Sequence, residues 1–258
     1  MLRCGAQKLI EPYILERRYC GRRYRMIIGT EEGRQWYDAL LPGLEVHQAQ
    51  ALGMIRPGDT VFDCGCNQGF HSLIYSDLVG PNGKVVAFDP HPLNMKLSRF
   101  NADLNTKSNI DFVEAGLSDR RGTAKVSISE QSTVLDNRDA DDTISINLVP
   151  LDDYKDDHPD YIKIDVEGAE VDALAGAGEI LKSRPSIYVE VHHHFLPRFR
   201  RRPMDIFNYV SLDDYRCFIN YPNMAALTPY EMEFEITDSC GLFLVPRDRP
   251  PLVRYYSP

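Results

Sequence analysis

The stretch from Val61 to Asp89 constrains this chain more than any other. It runs VFDCGCNQGF, then a helical segment, then KVVAFD, and this order of apolar run, tight loop, helix and second apolar run spells a β-loop-α-β unit of nucleotide-binding type. Asp63, Gly65, Asn67 and Gly69 alternate through the loop, where small residues let backbone approach a ligand. Asp89 closes the second apolar run, in position to hydrogen-bond a ribose diol. The combination points to an adenosine cofactor.

The spacing decides which kind. A dinucleotide fingerprint starting at Gly65 requires glycine at positions 67 and 70, where this chain has Asn67 and Phe70. An acidic residue two positions before the first glycine, followed by G-x-N-x-G, instead resembles the first motif of class I S-adenosylmethionine (SAM) methyltransferases.

Composition narrows the partners. With 29 basic and 38 acidic side chains the formal charge is -9, which argues against a general nucleic-acid or anionic-membrane surface, since those need clustered positive potential. Six cysteines, at positions 4, 20, 64, 66, 217 and 240, show no C-x-x-C pair, so free thiols are expected rather than a zinc or redox site. No apolar run reaches the length of a membrane helix and no signal-peptide core opens the chain, so a cytoplasmic location is expected. At 258 residues there is room for one α/β domain, 51–258, behind an N-terminal extension or cap, 1–50. That cap mixes basic and aromatic residues and closes on a helix in LEVHQAQALGM, before the turn Arg56-Pro57-Gly58-Asp59.

Beyond this turn apolar runs alternate with amphipathic stretches, the pattern of a mostly parallel sheet with helices on both faces. Strands are expected near 60–64, 84–88, 110–114, 161–165 and 186–191, and helices near 70–79, 92–104 and 168–182. GTAKVSIS and TISINLVPLDDY read as additional antiparallel strands or an excursion, with a polar mobile loop at 129–142 between them. YRCFIN and DSCGLFLVPR read as two closing antiparallel strands.

Ligands of open α/β sheets bind beyond the carboxyl ends of the strands. Those ends carry Asp63, Asp89, Glu114 to Gly116, Asp165 to Glu167, and Glu190 to His194. Glu170 and Asp172 open the helix after the fourth strand and read as complements to its dipole. The segment IKIDVEGAE, together with DCGCNQGFHS, AFDP, EAGLSD and EVH, resembles the FkbM family of SAM-dependent methyltransferases over roughly residues 45 to 246. The chain departs from that family's usual loop in having Cys64 and Cys66, and in having Asp89 where glutamate is more usual.

The resemblance implies a Rossmann-like class I methyltransferase fold, with a mostly parallel seven-stranded sheet and an antiparallel closing strand. It implies SAM as cofactor and S-adenosylhomocysteine as product, with O-methylation of a hydroxyl on a sugar, glycan or secondary metabolite. Carried over by position, Gly65, Asn67 and Gly69 line the methionine end of the cofactor. Phe70 and His71 open the helix beside its carboxylate, Asp89 binds the ribose hydroxyls, and Ala115 and Gly116 lie along the adenine. Asp63 completes the loop, and Asp165 stands beside the sulfonium.

Methyl transfer needs an in-line acceptor and a base for its proton. His192 is the first candidate, sharing a strand face with Glu190 and His194 by the period of two. Asp165 and Glu167 flank the same point. Magnesium held by Asp165 or Glu167 with Glu190 is the less favoured rival, because the sequence shows no compact acidic triad. Four arginines in PRFRRRP, 197–203, form either a solvated face or a rim that favours an anionic acceptor. A catalytically silent SAM-binding protein and an NAD-dependent oxidoreductase are the alternatives, and self-association into a homo-oligomer is compatible with the sequence.

Overall fold

The computed structural model describes residues 3–4, 7–19, 21–39, 44–128, 133–135, 143–221 and 226–249. Its N-terminal part is a hairpin that the sequence did not announce. Strand β1 (Arg3–Cys4) pairs with β2 (Gln7–Tyr19), and β2 runs antiparallel to β3 (Arg22–Thr30). Gly21 takes φ 75 at the turn, and alternate β3 residues Tyr24, Met26 and Ile28 are buried, as a half-covered strand requires. A single helical turn, α1 (Glu31–Gly33), continues into a π-turn over Arg34–Ala39, and the expected helix is α2 (Leu44–Ala51).

The next segment forms β4 (Thr60–Cys64), α3 (Phe70–Val79), β5 (Lys84–Phe88), α4 (Pro92–Leu104) and β6 (Ile110–Val113), all at the expected places. An excursion follows: β7 (Gly116–Leu117), β8 (Gly122–Ile128), β9 (Thr133–Leu135) and β10 (Thr143–Val149) make a small separate sheet in the order β7-β10-β8-β9. Apart from β9, the polar loop expected at 129–142 lies outside the described residues.

The chain then returns through β11 (Tyr161–Ile164), α5 (Glu170–Ala175), α6 (Gly178–Leu181) and β12 (Ser186–Val191), and closes with β13 (Tyr215–Asn220), β14 (Thr228–Tyr230) and β15 (Cys240–Pro246). The main sheet has the order β14-β13-β15-β12-β11-β4-β5-β6. Its inner strands are parallel and β15 is antiparallel to both β12 and β13. The seven expected strands are present, and the three-residue β14 adds an eighth at the edge.

One expectation is corrected. The helix predicted over 168–182 is two short helices broken at Gly176. The break follows from packing: a Cβ on Gly176 would lie 2.2 Å from the Ser118 carbonyl oxygen. Asp152 caps the second helix by accepting from the Glu179 and Ile180 amides.

Alternation along the strands builds two apolar layers. Val61, Val85, Ala87, Tyr161 and Tyr188 face the hairpin and α2 to α4, sharing a core with Tyr24, Met26, Ile28 and Phe70. Phe62, Cys64, Val86, Phe88, Ile162, Ile164 and Val189 face the other side, with Val171, Leu174 and Ile180 of α5 and α6. Because β4 lies between β5 and β11, the loops leaving β4 and β11 part to opposite faces and open a crevice. Among the described residues no helix is long and apolar enough to cross a membrane.

Candidate functional site

The crevice is an open cleft, with about 810 Å³ of non-protein space when the solvent at its mouth is included. Of the residues predicted to hold a cofactor, Gly65, Asn67, Asp89, Ala115, Gly116 and Asp165 line it. Gly65 has φ 82, and a Cβ there would lie 1.7 Å from the Asp165 carbonyl oxygen. The loops after β4 and β11 therefore touch backbone to backbone. Asn67 also adopts positive φ, 48°, a conformation asparagine tolerates better than most residues.

Asp89 is buried and holds the loop from below. Its carboxylate accepts from the Asn67 amide (3.0 Å), the His91 amide (2.8 Å) and the Asn94 side chain (3.3 Å). Burial pushes its carboxyl up to about 7, although those donors work in the opposite direction. The apolar wall comes from Phe88, Leu117, Val126, Ile146 and Leu148, several of them from the excursion sheet.

Asp63, Gly69, Phe70 and His71 are not on the cleft wall. Asp63 is fully buried, accepts from Ser72 Oγ at 2.5 Å, and faces Lys163 Nζ at 3.4 Å. Gly69 is closed in by Ser98, since a Cβ would come within 3.1 Å of it. Phe70 packs among Tyr19, Tyr24 and Tyr37. His71 pairs with Glu45 at 2.6 Å. These residues support the loop from behind.

Lys163 went unrecognised in the sequence. It is 1% exposed, donates to the Gly65 carbonyl at 2.9 Å, and meets Asp165 at 3.0 Å. Burial disfavours its charge, yet Asp165 and Asp63 outweigh this and raise its pKa further. Asp165 is lowered in turn: burial acts upward, and Lys163 and His192 overcome it. A lysine inside an otherwise apolar strand was the available signal, and its register partner on β4 is Asp63.

The four predicted catalytic residues gather at one rim. His192 Nε2 lies 3.8 Å from Asp165, 3.5 Å from Glu167 and 4.0 Å from Glu190. Its Nδ1 is 2.7 Å from Glu170, a fully buried carboxylate that also accepts from the Gly168 amide. Glu170 thus does more than complement a dipole. Asp172 is paired with Arg201. No contact between His194 and the rim is seen among the described residues; its ring stacks edge-on against His193.

The rim carboxylates strain one another. Burial raises Glu167 to about 7, and the neighbouring Asp165 followed by burial raises Glu190 to about 8. For His192 burial opposes the charged form, but the Glu170 bond and the surrounding carboxylates prevail and push it to about 10. The surrounding carboxylates thus favour the charged imidazole and make it a poorer base. Glu167 lines the cleft itself, with a carboxyl poised near neutrality.

Of the four arginines after β12, Arg201 is tied to Asp172 and Arg202 lies 3.5 Å from Asp205. Arg198 lies over the Phe195 ring at 4.9 Å. Phe199, between Arg198 and Arg200, reaches the cleft wall.

Comparison with known proteins places this geometry. The family model of the methyltransferase FkbM domain matches residues 63–217. The chain is 29% identical over 147 residues to the hexuronic acid methyltransferase AglP of Haloferax volcanii, covering 52% of this chain and 56% of that protein. It is 26% identical over 174 residues to the 2-O-methyltransferase NoeI of Sinorhizobium fredii, covering 57% of this chain and 69% of NoeI. A crystal structure of a methyltransferase FkbM from Methylobacillus flagellatus is 20% identical with a TM-score of 0.46, covering 75% of this chain and 49% of that one. The chain thus spans about half the length of AglP and of the crystallised chain.

Proposed function

The chain belongs to the FkbM methyltransferase family, and from that premise we propose that it transfers the methyl group of SAM to a hydroxyl of a sugar, glycan or secondary metabolite. One observation carries the cofactor assignment. Among the described residues the cleft wall holds four carboxylates, Glu32, Asp89, Asp165 and Glu167, and no lysine, arginine or histidine. Such a wall repels the pyrophosphate of a dinucleotide and favours a sulfonium and an ammonium. Asp89 takes the ribose hydroxyls, and Ala115 and Gly116 with the apolar wall take the adenine.

At the rim, Glu167 accepts the acceptor's proton as methyl transfer proceeds, since a base with a pKa near the working pH is the most effective. His192, held by Glu170, carries positive charge toward the developing alkoxide. Asp165, anchored by Lys163, positions the methyl donor. Residues 51–258 act as the catalytic domain and 1–50 as its cap; the hairpin's share in the core beside Phe70 supports this division of labour.

The acceptor carries an acidic group. Support comes from Arg198 and Arg200, the sequence neighbours of the cleft-lining Phe199, and from the hexuronic acid substrate in AglP's name. Calorimetry with SAM, S-adenosylhomocysteine and NAD tests the cofactor, and absence of SAM binding would sink the proposal. Incubating the chain with SAM and parallel panels of uronic and neutral sugars tests the reaction. Mass spectrometry should find one added methyl on the uronic panel, whereas cofactor binding without any methylated product would make this a silent binder. Arg198→Ser with Arg200→Ser should raise KM for the uronic acceptor about tenfold.

A second reading of the rim rests on a specific placement. Asp165, Glu190 and His192 each offer one donor atom within 4.8 Å of the other two. A divalent cation bound there would hold the acceptor oxygen and acidify its hydroxyl. Activity lost to a chelator and restored by Mn2+ or Mg2+ would favour it over Glu167 alone.

A further inference from the structure

We propose that Glu32, supplied by the N-terminal segment, binds the α-ammonium group at the methionine end of the cofactor. The inference rests on the SAM reading of the cleft and assigns one of its charges to a residue outside the matched stretch 63–217.

Glu32 lies in α1, the helical turn that follows β3, and is 5% exposed, yet it lines the cleft. Its Oε1 accepts from the Asn67 side chain at 3.1 Å, while the Asn67 backbone amide donates to Asp89. The carboxylate therefore stands at the turn of the glycine loop, where the methionine end must lie if Asp89 takes the ribose.

Its position is built rather than incidental. Thr30 Oγ1 accepts from the Gly33 amide and from Gln68 Nε2, which locks the turn carrying Glu32 against the loop. Gly33 is pressed so closely that a Cβ would lie 2.6 Å from the Gln68 side chain. Tyr37 completes the clamp by accepting from the Gln68 amide.

Asp63 faces Ser72 and Lys163 behind the loop, Asp165 is paired with Lys163, and Glu167 stands at the acceptor rim. An ammonium donating to a buried carboxylate forms a charge-assisted hydrogen bond, stronger than an amide can offer. The N-terminal segment is then a wall of the cofactor site, and cofactor binding tightens its docking.

The test uses the full chain and two ligands, S-adenosylhomocysteine and its analogue lacking only the α-amino group. Calorimetry on the native protein should show the amine-bearing ligand binding at least tenfold more tightly. Glu32→Gln should weaken S-adenosylhomocysteine by that same factor and leave the deaminated analogue within twofold, with an unchanged unfolding temperature. Equal losses for both ligands, or no loss for either, would overturn the assignment. A native protein that binds neither ligand overturns the SAM reading first, so the two failures are told apart. Hydrogen exchange gives an independent readout: the amides of Ile27 to Gly33 should slow with S-adenosylhomocysteine and not with the deaminated analogue.

Discussion

Glu167 sits at φ 54, a left-handed conformation that costs a non-glycine residue on the order of 1 kcal/mol. The turn enforces it, because Gly168 follows at φ 103 and a Cβ on Gly168 would meet Phe195 at 2.8 Å. The strain aims a carboxylate at the cleft. Glu167→Gln should lower kcat by about 100-fold or more while leaving S-adenosylhomocysteine affinity within about threefold, measured by initial rates and calorimetry. Because only the ionised form accepts a proton, kcat in the native enzyme should rise with pH through about 7; a flat profile would remove Glu167 from the base role. Lys163→Met should destabilise the fold by about 3 to 5 kcal/mol, since Asp63 and Asp165 would keep buried charge without their cation, and thermal unfolding would read this directly. Residue types at strand ends were legible because the sheet sends them all to one edge. What a single sequence hid was pairing: Lys163 meets Asp63 from 100 positions away, so Asp63 looked like a cofactor ligand and is a support. Likewise Glu170 looked like a dipole complement until the fold brought His192 to it.

Elements were legible where periodicity and local breakers agreed. Strands β4, β5, β11 and β12 lie where their apolar runs placed them, since both faces are covered and the runs end in turns. The N-terminal hairpin was not, because arginines on its exposed face dilute the alternation, although Gly21 marked the turn. The break between α5 and α6 is set by contact with Ser118 and Pro150, which no helical period within 168–182 encodes. Asp152→Ala removes the cap of α6 and should cost about 1 kcal/mol, visible as a lower urea midpoint with an unchanged slope. An unchanged midpoint would mean the cap contributes nothing.

On the scale of the whole molecule, charge is concentrated at one edge of one sheet. Asp89 and Glu167 are raised to about 7 and Glu190 to about 8, whereas unfolded carboxylates titrate near 4. The folded chain therefore holds protons that the unfolded chain releases. Stability from these groups is full below about pH 4 and is lost as pH rises to about 8. Ligand-free protein should accordingly unfold at a lower temperature at pH 8 than at pH 6, and Asp89→Asn should flatten that slope. A slope of the opposite sign would show that these carboxyls are ionised without penalty. The acceptor was not legible at any scale, because no motif in the sequence names it; Phe199 and its flanking arginines are the surface proposed to read it.

The four carboxylates on the cleft wall bear on turnover in the proposed reaction. In the proposed reaction a bound sulfonium would offset one carboxylate, and its conversion to a neutral thioether would coincide with arrival of the acceptor's proton on Glu167. The total charge of the site would be the same on both sides of that reaction, so no net charge would have to cross the apolar wall during the step itself. The spent cofactor would then depart from a neutralised carboxyl, and the next methyl donor would be drawn in once that proton escapes to solvent.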